Sequence, residues 1–187
     1  MTRAQLKDFI KEKYIAEGKW IITYQDIKKH FNEKTLAISM SRHINKNILM
    51  QVKRGWYVVP SMLENIKYPF ENFLAEYLGK DNFYISAESA LYDYKLISKK
   101  PKMLMCVINK KRFTRSCFIE TPLGTADITS KTFKNFYSFL KEECVFNASK
   151  NIWIANPDLA RKDFFDTINT RLKHNKSLFD MHYSLNF

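Results

Sequence analysis

Four glycines in 187 residues are too few and too scattered for a glycine-rich phosphate loop, which concentrates several in one turn. Three cysteines, Cys106, Cys117 and Cys144, are an odd number at spacings that fit neither a metal cage nor a disulfide framework. They read as core thiols in a reducing compartment. No run approaches the ~18 uninterrupted apolar residues of a membrane span, and the opening Met-Thr-Arg-Ala-Gln-Leu-Lys lacks the apolar core of a secretory signal. A cytoplasmic chain with no membrane partner is expected. The histidines, His30, His43, His174 and His182, show no metal-ligand spacing, and Ser86 and Ser89 lack the glycine-flanked elbow of a serine hydrolase. No metal, cofactor or catalytic residue is therefore expected. Asp127, Glu142 and Glu143 beside Lys141 would suit a divalent-metal nuclease, but acids scattered near a lysine arise by chance in a chain that is 27% charged.

What is present is a globular composition, 45% hydrophobic and 15% aromatic, at a length that accommodates two small domains. Acidic residues are in deficit: 31 Lys and Arg face 19 Asp and Glu, a formal net charge of +12. Residues 1–60 hold 12 basic and 5 acidic residues, a net of +7, which leaves 19 and 14, a net of +5, for the remainder. A basic domain attracts polyanions, because binding to phosphates releases their counterions. Charge alone does not separate DNA from RNA or an acidic protein.

Residues 23–60 organise the chain. Thr23 followed by Asp26 resembles a helix start, with Ile27 and Phe31 on one face of a short helix. After a polar break at Asn32-Glu33, a second helix is expected from 34 to 48. At about 100° per residue, Leu36, Ala37, Met40, Ile44 and Ile48 form its inward stripe. The other face carries Thr35, Ile38, Ser39, Arg42, Asn45 and Lys46, led in by Lys34. Arg bonds guanine, Asn bonds adenine and an apolar side chain touches a thymine methyl, so this face suits the major groove of duplex DNA. Gln51-Val52 and Trp56-Tyr57-Val58-Val59 then flank Lys53-Arg54-Gly55 as two strands and a hairpin tip, with Lys53 and Arg54 placed beside phosphates. The N-terminal domain, 1–60, thus reads as a winged helix-turn-helix. Before it, Thr2-Arg3-Ala4-Gln5 fits a capping box, Leu6, Phe9, Ile10 and Tyr14 form an apolar face, and Trp20-Ile21-Ile22 could pair with the wing. A winged helix that binds protein without reading DNA is the alternative from the same pattern.

A linker over 61–68 leads to a second domain, 69–187, of mixed α and β. Its expected elements are a helix after Pro69, a strand over 83–85, a helix capped by Ser86 with Ser89 packed inside it, strands over 103–108 and 112–120 joined as a hairpin across Asn109-Lys110-Lys111, a turn at Pro122-Leu123-Gly124, a segment over 133–140 that is helical by spacing and strand-like by propensity, a buried strand over 152–155 and a helix begun by Asn156-Pro157-Asp158. The tail from His174 to Phe187 carries no clear pattern.

Three segments in order resemble the AbiEi-type antitoxins of type IV toxin–antitoxin systems: Lys53-Arg54-Gly55-Trp56-Tyr57-Val58-Val59-Pro60, then Tyr84-Ile85-Ser86-Ala87-Glu88-Ser89-Ala90-Leu91 with Leu96-Ile97, then Ile152-Trp153-Ile154-Ala155-Asn156-Pro157-Asp158-Leu159-Ala160 leading to Asp163. The chain departs from the family pattern at Ala87, where His is usual, and at Asp158-Leu159-Ala160, where Glu-Lys-Ala is usual. The resemblance implies a non-enzymatic autorepressor that binds inverted repeats in its own promoter through the winged helix. It also implies a C-terminal domain that counters a nucleotidyltransferase toxin, in many cases without a stable complex.

Overall fold

The computed structural model describes residues 1–31, 34–109 and 117–174, and among them the fold is mixed α and β, with eight α-helices and two sheets. The expected break at Asn32-Glu33, the hairpin tip at Lys110-Lys111 and the tail beyond His174 lie outside the described residues. None of the described helices is long and apolar enough to cross a membrane. The chain divides into two compact units, Met1–Phe73 with Thr121–Leu123, and Leu74–Glu120 with Gly124–Phe187.

The first unit begins with α1 (Arg3–Ile10), and its capping box forms as the sequence predicts: Gln5 N–H donates to Thr2 Oγ1 at 3.2 Å, and Thr2 N–H to Gln5 Oε1 at 2.6 Å. A π-helical turn, Lys11–Ile15, carries it on, so that Leu6, Phe9, Ile10 and Tyr14 all face the core. Next come β1 (Ile21–Thr23), α2 (Tyr24–Phe31), α3 (Leu36–Asn45), β2 (Met50–Lys53), β3 (Trp56–Val58) and the helical turn α4 (Pro60–Leu63), which occupies the start of the expected linker. Thr23 and Asp26 cap α2 reciprocally, each accepting from the other's backbone N–H at 3.2 Å. The strands form an antiparallel sheet of order β1-β3-β2, with Ile21 opposite Val58 and Thr23 opposite Trp56. Leu6, Ile22, Ile27, Leu36, Met40 and Leu49 are almost wholly buried in one cluster on this scaffold. Burial of this kind contributes about 1.5–3 kcal/mol per side chain.

α5 (Pro69–Leu74) closes the first unit, with only Leu74 in the second, where β4 (Phe83–Ile85), α6 (Ala87–Asp93), β5 (Leu104–Asn109), β6 (Cys117–Thr121), β7 (Gly124–Lys131), α7 (Phe136–Glu143), β8 (Cys144–Asn147), β9 (Ile152–Ala155) and α8 (Pro157–His174) follow. The sheet order is β6-β7-β5-β4-β9-β8. β4 is central: it runs antiparallel to β5 and parallel to β9, and Phe83, Tyr84 and Ile85 are all fully buried. α6 packs on β5 and along α8. Asn156 caps α8 by accepting from Leu159 N–H at 2.8 Å, as its place before Pro157 predicts.

The structure corrects the expected hairpin between 103–108 and 112–120. β5 pairs not with β6 but with β4 and, in parallel, with β7, so that Cys106 lies opposite Ile128. The reason is burial. Met105 through Ile108 are buried without a break and need neighbours on both sides, whereas β6 alternates with Phe118 exposed and suits an edge. The tight turn at Pro122-Leu123 instead joins β6 to β7.

Candidate functional site

Part of the surface of the first unit is formed by α3 and the β2–β3 hairpin. Ile38, Arg42 and Asn45 are exposed on α3, Ile38 at 56%, and Lys34 and Thr35 are exposed just before it, with Lys46 just after. Arg54 is exposed at the hairpin turn, beside Gly55 at φ +79°, and Lys53 is half-buried at the end of β2. The turn is tied to the start of α2 by Tyr24 N–H donating to Gly55 C=O at 2.8 Å. An open groove of about 690 Å³ lies between these parts, lined by Tyr24 and Gln25 of α2, Ala37 of α3, and Gln51, Arg54 and Trp56 of the hairpin. Eight of the nine expected contact residues thus keep at least part of their side chain at the surface.

Ser39 does not. It is 8% exposed, and it faces inward with Leu36, Met40 and His43. The inward arc is centred close to Leu36, so Ala37 and Ser41 take the outward places. Counting only apolar residues rotated the predicted stripe, because His43 is buried and Ala37 is not. His43 is 5% exposed, and burial, with the N-terminal amine, Lys46 and Arg3 nearby, outweighs a hydrogen bond at the Met1 backbone and holds its imidazole below its ordinary pKa. A histidine whose folded pKa is depressed supports the fold above its unfolded value, about 6.5, and withdraws that support as pH falls. Unit 1 is therefore expected to lose stability in urea melts as pH drops from about 7 to 5, and His43→Gln is expected to flatten that slope.

The second unit holds a separate, mostly buried polar cluster. Asp163 of α8, 2% exposed, accepts from Ser86 Oγ at 2.6 Å, Tyr84 Oη at 3.0 Å and Lys131 Nζ at 2.7 Å; Lys131 also reaches Asp166 at 3.0 Å. Burial alone would lower the Lys131 pKa, but the bonds and charges of Asp163 and Asp166 leave it raised. Burial and then Asp163 push the Tyr84 hydroxyl well up, and burial first, then Asp163 and Glu143, push the Cys144 thiol up to about 12. Both stay protonated. Phe133, Phe136 and Phe139 surround the Tyr84 ring at centroid distances of 6.4, 6.2 and 5.6 Å. Ser86, expected to cap α6 through its side chain, instead spends its hydroxyl on Asp163. Ser89 does not simply pack within α6: its Oγ accepts from Met105 N–H at 2.9 Å and so pins the helix to β5.

Asp127, Glu142 and Glu143 do not converge, and among the described residues no three His, Cys, Asp or Glu side chains come together as a metal site. Glu143 is engaged by Asn156 Nδ2 at 3.1 Å. Compared with known proteins, the chain matches no family model and no curated protein.

Proposed function

We propose that residues 1–60 form a winged helix-turn-helix that binds duplex DNA and represses the protein's own promoter, and that the second domain, residues 69–187, acts as the antitoxin against a nucleotidyltransferase toxin. The observation that supports the first half is the groove shared by Ala37 of α3 and the hairpin turn, with Arg54 at its margin, together with the exposure of Ile38, Arg42 and Asn45 on the same helix. In this reading α3 enters the major groove, where Arg42 and Asn45 meet base edges and Ile38 a thymine methyl, while Lys34, Lys46, Lys53 and Arg54 lie against phosphates. The net charge of +7 over residues 1–60 supplies the sequence-independent attraction.

Phosphate and base contacts separate by experiment. Arg54→Ala is expected to weaken binding to specific and scrambled duplex alike and to reduce the slope of log affinity against log salt by about 1. Loss confined to the specific duplex would remove Arg54 from the phosphate role.

The antitoxin half is supported by the sequence resemblance. Two of its segments cooperate physically, since Tyr84 and Ser86 of one bind Asp163 of the other. Its test is growth rescue: the reading predicts a nucleotidyltransferase toxin whose expression arrests growth, and co-expression of the full chain is expected to restore growth where a truncation to 1–68 does not.

A further inference from the structure

The loop that leaves α6 is basic and exposed. Lys95, Lys99, Lys100 and Lys102 all face solvent, and none of the four forms an ion pair with another described residue. The one acid of residues 93–103, Asp93, is taken by Lys150, whose Nζ donates to its two oxygens at 2.7 and 2.6 Å. Tyr94 and Leu96 sit among the lysines at 36% and 47% exposure.

The start of this loop is fixed by backbone. Leu96 N–H donates to Leu91 C=O and Lys95 N–H to Tyr92 C=O, both at 2.9 Å, the paired bonds that close a helix through a left-handed residue. That residue is Lys95, at φ +59°. Glycine adopts this conformation without penalty and lysine does not, so the chain keeps a strained lysine at a position where a more stable residue is available. Asn47, Tyr68, Ala87 and Asn151 also adopt positive φ, so the backbone at Lys95 fixes where its side chain leaves the loop rather than by itself assigning a use.

We propose that this loop is a binding site for single-stranded nucleic acid, independent of the DNA-binding face of the first unit, with Tyr94 stacking on an unpaired base and Lys95, Lys99, Lys100 and Lys102 binding consecutive phosphates. Duplex offers phosphates to such a loop but keeps its bases stacked inside, which leaves Tyr94 and Leu96 without a role. A single strand uses both the charges and the ring.

The test is fluorescence anisotropy of labelled 12-nucleotide oligo-U and oligo-dT with the full chain. Lys99→Ala/Lys100→Ala/Lys102→Ala is expected to lower affinity at least tenfold and to cut the salt slope by about 2, at ~0.7 for each phosphate released. Tyr94→Ala is expected to bind about 5- to 150-fold more weakly with the slope unchanged. Lys95→Gly is expected to unfold at a higher temperature yet bind more weakly, a combination that a purely structural loop would not produce. Arg54→Ala, which weakens sequence-independent binding by the first unit, is expected to leave most of the oligonucleotide affinity in place. The proposal is overturned if neither oligonucleotide binds, if the triple variant binds like the parent, or if Arg54→Ala abolishes the signal. Displacement by polyglutamate as effective as by unlabelled oligonucleotide would also overturn it, in favour of an acidic protein.

Discussion

Asp163→Ala is expected to destabilise the second unit by about 2–4 kcal/mol. The carboxylate is the common acceptor for two buried hydroxyls and an ammonium. Hydrogen bonds to a charged group contribute about 1.5–3 kcal/mol, and a buried donor left without a partner costs about 1–3 kcal/mol. Both penalties fall on Tyr84 and Ser86, neither of which reaches water. Lys131 adds little to the total, because its side chain is partly solvated and retains Asp166. The order of effects is therefore Asp163→Ala, then Tyr84→Phe at about 1 kcal/mol, then Lys131→Met. Urea unfolding followed at the aromatic cluster around Tyr84 reads the series. An Asp163→Ala variant within ~0.5 kcal/mol of the parent would show that the cluster does not hold α8 to the sheet.

Arg42→Ala and Asn45→Ala are each expected to cost about 1–3 kcal/mol of binding to the cognate duplex while leaving scrambled duplex nearly unaffected. Folding stability should shift by no more than about 0.5 kcal/mol, since both side chains are exposed. Competition titrations against both duplexes separate the two quantities. If both variants retain the parent's preference for the cognate sequence, α3 is not the recognition helix. Ser39→Ala provides the contrast: its hydroxyl is buried, so any effect of the substitution is expected in stability rather than in base preference.

How far the sequence foretold these features depended on whether the deciding interaction was local. The capping box at Thr2, the Thr23–Asp26 cap, the hairpin around Gly55 and the Asn156-Pro157 start of α8 involve residues a few positions apart, and each forms as the spacing predicts. The pairing of β1 with the hairpin was legible too, from a short β-prone run before α2. β7 was not. Its sequence, Gly-Thr-Ala-Asp-Ile-Thr-Ser-Lys, has no apolar run, and it is a strand because β5 lies against it through six residue pairs. β8 was hidden for a similar reason, with two of its four residues exposed at the sheet edge. The Asp163 cluster joins residues 77 and 79 positions apart, which no local pattern reports. The resemblance had brought those residues to attention as motif positions without saying that they touch. On α3 the failure was one of phase. A buried histidine and an exposed alanine rotated the inward stripe, which misplaced Ser39 while leaving Arg42 and Asn45 outward.

Whether the first domain reads a DNA sequence is tested most directly by a salt-resolved binding titration of the full chain on its own upstream DNA against scrambled duplex of equal length. A specificity ratio of about 10³ or more is expected, with affinity for both duplexes falling steeply as salt rises. Equal, weak binding to the two would contradict that reading and leave the groove between α3 and the hairpin as the surface of a basic scaffold.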